Sequence, residues 1–151
     1  MDPIEINAGT YYLRQLRADD LLDDRIILRA NGFPDPDAHI AARADGWRAD
    51  TEYTWAIAEP TTGALLGEVG LTELHGDAAR AICWIAPEHQ CAGIARTALG
   101  SVLRFGFGAL ALRTVDWTHS IGDAAAERVA IGFGWTRISE SAGQLLWRAT
   151  A

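Results

Sequence analysis

Residues 81–110 constrain this chain of 151 residues more than any other part of it. Ala81-Ile82-Cys83-Trp84-Ile85 reads as a strand. From Arg96 to about Leu110 the sequence reads as a helix, with Ile94, Ala98, Val102 and Phe105 on one apolar stripe. Between them lies Ala86-Pro87-Glu88-His89-Gln90-Cys91-Ala92-Gly93-Ile94-Ala95, which contains the spacing Gln-x-x-Gly-x-Ala. Backbone N–H groups in the loop and first turn have no intrahelical acceptor. They point one way, and the helix dipole adds partial positive charge there. Gly93 has no Cβ and lets a ligand approach the backbone closely. A strand running through such a loop into a helix is a cradle for a pyrophosphate.

The remaining elements follow from periodicity and turn chemistry. Tyr11–Leu16 alternates like a strand. A helix is predicted from Asp19-Asp20, with Leu21, Leu22, Arg25, Ile26 and Arg29 at helical spacing and Asn31-Gly32 as its stop. A second helix starts at Asp35-Pro36-Asp37, with proline in its first turn, and runs through His39 and Trp47 to about Arg48. Thr54–Ala58 and Ala64–Leu74 are two strands joined by the turn Pro60-Thr61-Thr62-Gly63. If Gly76-Asp77 are the central turn residues of the next hairpin, Glu73 faces Arg80 and Glu68 faces Ile85. Thr114–Trp117 is a further strand. A helix over Asp123–Phe133 has Asp123 as its N-cap, and Trp135–Ser139 and Leu145–Arg148 are two last strands.

Composition narrows the function classes. The length fits a single domain over residues 1–151, and 49% hydrophobic residues supply a core. No apolar run is long enough for a membrane helix, and the acidic start Met1-Asp2-Pro3-Ile4-Glu5 lacks signal-peptide character, so the expected location is the cytoplasm. A net charge of −7 disfavours nucleic acid and favours a cationic acceptor such as an amine. All 13 basic residues are arginine. Cys83 and Cys91 have no metal spacing, and His39, His75 and His89 are scattered, so no metal is expected. Cys83 reads as a small core residue. Cys91, near a helix N-terminus, reads chiefly as the replacement of a loop glycine.

The Gln90-to-Ala95 spacing resembles the acetyl-coenzyme A loop of the GNAT superfamily, the general N-acetyltransferases. Trp84-Ile85-Ala86-Pro87-Glu88 is similar to the end of that family's fourth strand. The stretch from Trp117 to Ala126 resembles its fifth strand and fourth helix, and Gly134-Trp135 stands where the family usually has Gly-Phe. The likeness runs from about Tyr11 to Arg148, with the Rim-type protein N-terminal acetyltransferases as the closest branch. The order strand, two helices, three strands, helix, strand, helix, two strands agrees with that fold. The resemblance therefore implies an α/β (α+β) domain with a mostly antiparallel twisted sheet of about seven strands. That sheet splays between strands four and five and carries helices on both faces. It also implies acetyl-coenzyme A as co-substrate, with Ile85 and Ala86 beside its pantetheine arm and Gln90, Cys91, Ala92, Gly93, Ile94, Ala95 and Arg96 at its phosphates. Asp123 stands where the family's asparagine contacts the pantetheine.

Three customary polar positions are changed. The family's strand-four glutamate aligns with Arg80, and its helix-four tyrosine or serine positions align with Ala130 and Ala126. Glu68 is then a candidate base, directly or through water. His119, after the fifth strand, is a second titratable candidate near neutral pH, and Ser120 is a candidate proton donor to the thiolate. The expected reaction is acetyl transfer to a primary amine, either a protein N-terminus or a small amine such as an antibiotic or polyamine. Two alternatives stand beside it. One is a non-catalytic coenzyme-binding module, which the changed positions favour. The other is an enzyme for a different acyl-coenzyme A, for which the small Ala81 and Cys83 leave room. The C-terminal strand pair offers an edge for a homodimer.

Overall fold

A computed structural model describes residues Met1–Ala151. Eight strands form one sheet in the order β1-β2-β3-β4-β5-β6-β8-β7. They are β1 (Ile6–Ala8), β2 (Tyr11–Arg14), β3 (Tyr53–Ala58), β4 (Leu65–His75), β5 (Ala78–Ile85), β6 (Thr114–Ser120), β7 (Thr136–Ser141) and β8 (Gln144–Thr150). The helices are α1 (Arg25–Ala30), α2 (Pro36–Ala49), α3 (Ile94–Gly108) and α4 (Ala124–Phe133). The short strand β1 is one more than the sequence suggested. It pairs Ile6 with Leu13 and Ala8 with Tyr11.

The α1 segment starts later than the apolar spacing predicted. The Asp19 carboxylate accepts the backbone N–H groups of Leu21 and Leu22, which holds them in a turn. Asp24 is committed elsewhere: its carboxylate takes both guanidinium nitrogens of buried Arg14 at 2.8 and 2.9 Å and the backbone N–H of Arg17. Only from Arg25 is the backbone free to coil. In α2 the sequence signals hold, with Asp35 capping the Ala38 N–H and proline at the start.

The β4–β5 hairpin pairs one residue out of the predicted register. His75 does face Ala78, as the turn chemistry implies, but Thr72 faces Arg80 and Gly67 faces Ile85. Glu73 and Leu74 together oppose Ala79, a bulge with Glu73 at φ 51°. The Glu73–Arg80 ion pair survives at 3.2 Å, whereas Glu68 now faces Trp84. One register step moves a side chain's neighbours to the other face, so Glu68 and Trp84 share a face that Ile85 does not.

Two cores result. Alternate positions such as Leu13, Trp55, Ile57, Val69 and Leu71 pack against the α3 stripe of Ile94, Ala98, Leu99 and Val102. The opposite face carries a smaller cluster of Leu28, Ala56 and Leu65 under α1 and α2. Across this second face a single row runs Arg14–Ala56–Glu68–Trp84, one residue from each of four neighbouring strands. The only parallel pair is β5 with β6, and it is brief: Ala78–Thr114, Ala79–Val115 and Arg80–Asp116. Beyond Arg80 the two strands separate. No helix is long and apolar enough to cross a membrane.

Candidate active site

The separation of β5 from β6 opens a cleft of about 520 Å³. One wall is Cys83, Trp84 and Ile85 of β5, and the other is Trp117 of β6 with the start of α4. From Ala81 to Ile85 the β5 edge that faces β6 has no strand partner. At the mouth the chain turns through Pro87–His89, and the Gln90 amide donates to the Ile85 carbonyl at 3.0 Å. The first polar side chain of the motif thus fastens the loop to the strand end.

Past Gln90 the loop becomes a run of backbone donors. The N–H groups of Cys91 through Arg96 find no acceptor in the chain, and the first helical bond in α3 runs from Thr97 to Gly93. Cys91 at φ 66° and Gly93 at φ 76° both take left-handed backbone conformations. For Cys91 this is the conformation that a glycine would hold without strain, which agrees with its reading as a glycine replacement. A Cβ on Gly93 would meet no protein atom within 4 Å, so the space it would fill belongs to the cleft. Arg96 crosses the mouth with its guanidinium against α4 at Gly132, and Arg128 adds a second positive charge to the lining. Unpaired donors, a dipole and two guanidinium groups fit a bound diphosphate.

The predicted cofactor residues Ile85, Gln90, Cys91, Gly93, Ile94, Ala95, Arg96 and Asp123 all line this one cleft. Ala86 and Ala92 belong to the same loop but do not line it. Ala86 is buried, with its N–H on the Leu66 carbonyl. Asp123 caps α4 by accepting from the Ala126 N–H. Cys83 packs against the main core, as expected, and also lines the cleft, and burial pushes its thiol up to about 12. The α4 wall is Ala125, Ala126, Arg128, Val129 and Gly132 and offers no hydroxyl, while Ala130 is fully buried. No group of three or more His, Cys, Asp or Glu side chains is placed to hold a metal ion.

The three catalytic candidates do not meet in the cleft. The β6 strand runs past Trp117 to Ser120, so His119 is a strand residue on the same buried face as Val115 and Trp117. Its Nδ1 lies 2.9 Å from the Ser120 carbonyl, and its Nε2 accepts from the Trp147 indole at 2.9 Å. Both nitrogens are engaged inside the protein, which removes His119 as a base open to substrate. Ser120 is exposed, and its hydroxyl accepts from Gln144 away from the cleft.

Glu68 is placed differently from the expectation as well. It is fully buried on the α1/α2 face. One oxygen, Oε2, accepts from His39 Nε2 at 2.7 Å and from the Trp84 indole at 2.9 Å, and Oε1 accepts from Arg43 Nε at 3.4 Å. Arg43 also reaches Glu52 at 3.2 Å. Phe33 packs over the His39 ring at 4.1 Å and against Trp84 at 5.5 Å. Trp84 is also a lining residue of the cleft, so its side chain ties the Glu68 cluster to the β5 wall. Sequence reasoning missed His39, Arg43 and Arg128. The one available signal was the i, i+4 pair His39 and Arg43, which shares a face of α2.

The family model described as an acetyltransferase (GNAT) domain matches residues 11–136. The chain belongs to the GNAT acetyltransferase family. Its fold agrees with solved structures of that kind over nearly its whole length. A Vibrio cholerae protein provisionally assigned as a ribosomal-protein-serine acetyltransferase superposes with a TM-score of 0.85 at 19% identity, covering 100% of both chains. Mycobacterium smegmatis RimJ, solved with coenzyme A disulfide, gives 0.82 at 19% identity over 99% of this chain and 88% of its own. A spermidine N-acetyltransferase SpeG chimera from Vibrio cholerae and hSSAT gives 0.75 at 20% identity, covering 94% and 96%. No protein with a curated description matches this GNAT chain significantly in sequence.

Proposed function

We propose that this GNAT domain transfers an acetyl group from acetyl-coenzyme A to a primary amine. The observation that carries the reading is the split seam between β5 and β6, with unpaired backbone N–H groups from Cys91 to Arg96 at its mouth. Acetyl-coenzyme A supplies the acetyl group as a thioester. The loop donors, Arg96 and Arg128 hold its phosphates. The free β5 edge ending at Ile85 and Ala86 aligns the arm, and Asp123 stands on the opposite wall at the start of α4. Holding amine and thioester together removes much of the entropic barrier.

The acceptor reaches the thioester from the α1/α2 face, where the polar groups are. The net charge of −7 suits a cationic amine. The related folds include proteins named for ribosomal-protein and spermidine acceptors, and both a protein N-terminus and a small polyamine fit a cytoplasmic enzyme of this kind. An α4 wall without a hydroxyl or other proton donor to the thiolate favours one other reading, a coenzyme-binding module without turnover.

A thiol-release assay with acetyl-coenzyme A separates the two. The panel should hold N-terminal peptides, spermidine and an aminoglycoside. Transfer predicts free thiol with at least one amine. Coenzyme binding without thiol release from any of them would leave the binding module.

A further inference from the structure

We infer that His39, held by Glu68, is the group that takes the proton from the incoming amine. The inference rests on the acetyl-transfer reading above and deepens it. Glu68 cannot serve directly, because it is fully buried and His39, Trp84 and Arg43 all donate to it. Three converging N–H donors suit a carboxylate that only accepts. His39 then donates through Nε2, an assignment made from the hydrogen-bond network. That leaves Nδ1 with a free lone pair. Nδ1 has no partner in the chain and is not among the buried atoms lacking one, so it reaches solvent.

The position is suited to the reaction. The His39 imidazole and the Trp84 indole share one oxygen of Glu68, which sets the imidazole beside the side chain of a residue that lines the cleft. Phe33 covers one side of the ring and limits its rotation. An aspartate or glutamate that fixes a histidine tautomer also stabilises the imidazolium formed when the ring takes a proton. The charged and titratable groups packed about His39 are Glu68 from β4, Arg43 from its own helix and, through Arg43, Glu52 from the segment before β3.

In the balanced step, the substrate ammonium gives one proton to His39 Nδ1, which makes an imidazolium paired with the Glu68 carboxylate. The free amine attacks the thioester carbonyl, so a C–N bond forms as the C–S bond breaks. The second proton on that nitrogen passes to the departing sulfur, and His39 returns its own proton to solvent. No hydroxyl on α4 is needed, which agrees with the alanines at 125 and 126. His39 is the catalytic residue here and Glu68 a positioning residue.

Two measurements test this. The first needs no acceptor: nitrogen NMR of the histidine rings in the full chain. We expect His39 as the Nε2–H tautomer in the unaltered protein and a loss of that preference in Glu68→Gln. A His39 protonated on Nδ1, or a tautomer unchanged by Glu68→Gln, would overturn the pair. The second is kcat against pH at saturating amine. His39→Gln should lower kcat by roughly 100-fold and remove the limb that rises toward neutral pH. Glu68→Gln should lower kcat by a smaller factor and leave the KM for the amine unchanged. Thermal stabilisation by coenzyme A should persist in both variants, which shows them folded. Turnover in His39→Gln within twofold of the unaltered protein, with the limb intact, would overturn the role of His39 and leave acetyl transfer standing. No turnover by the unaltered protein with any amine would overturn both.

Discussion

The two faces of the sheet at Trp84 are built by opposite means. On the α3/α4 face the recognition surface is backbone: N–H groups from Cys91 to Arg96, an unpaired strand edge, and small apolar side chains. On the α1/α2 face it is side chains: Arg14 locked to Asp24, and Glu68 locked to His39, Arg43 and Trp84. The first surface depends on the course of the chain and tolerates many side chains. The second depends on residues brought from α2, β4 and β5 around the fully buried Glu68 carboxylate, with His39, Arg43 and Trp84 part-buried beside it. Substitutions should therefore act on the first face through ligand binding and on the second through stability and proton transfer.

The sharpest break in this contrast is Asp24→Ala. It leaves the Arg14 guanidinium buried without its counter-charge, at a cost of about 3–5 kcal/mol. Thermal unfolding should fall by roughly 10 °C, and any coenzyme-induced shift should remain in the folded protein. Trp84→Phe keeps an aromatic wall but removes one donor from buried Glu68. The expected cost is about 1–3 kcal/mol, read from chemical denaturation. A cost near zero would mean that water replaces the indole N–H.

Gly93→Val reverses the pattern. A β-branched residue at φ 76° costs about 1–2 kcal/mol, but the larger effect is steric filling of the cleft mouth. Stabilisation by acetyl-coenzyme A should vanish while the fold persists. The smallest effect is chemical. Burial pushes the Cys83 thiol up to about 12, so at pH 8 a thiol-alkylating reagent should label exposed Cys91 and spare Cys83. Acetyl-coenzyme A should slow the labelling of Cys91, and labelling unchanged by coenzyme would argue against a ligand on the loop.

This difference also explains what could be read in the sequence. The loop lies in one continuous stretch, so its spacing and the flanking periodicity identify strand, turn and helix together. The helix start at Asp35-Pro36-Asp37 and the Asp123 cap are equally local, and both hold. Glu68 was legible as an unusual carboxylate but not as a buried one. Its surroundings depend on the bulge at Glu73–Leu74, which moves the register by one residue and is hidden in turn composition alone. His39 and Arg43 lie 29 and 25 residues from Glu68 in the chain, too distant for any spacing rule. His119 misled because β6 continues three residues beyond its apolar signal, which turns a supposed loop histidine into a buried one. The start of α1 misled because Asp19 and Asp24 use their side chains against the helix.

If the β5–β6 split with its free N–H groups binds acetyl-coenzyme A, the cleft mouth at Gly93 must control that binding. Thermal unfolding of the unaltered chain and of Gly93→Val, each with and without acetyl-coenzyme A, tests this most directly. At 100-fold excess over Kd a ligand specific for the folded state adds about 2.7 kcal/mol. We predict a rise of several degrees for the unaltered protein and none for Gly93→Val. Equal shifts in both proteins, or none in either, would mean that the coenzyme does not bind at this seam.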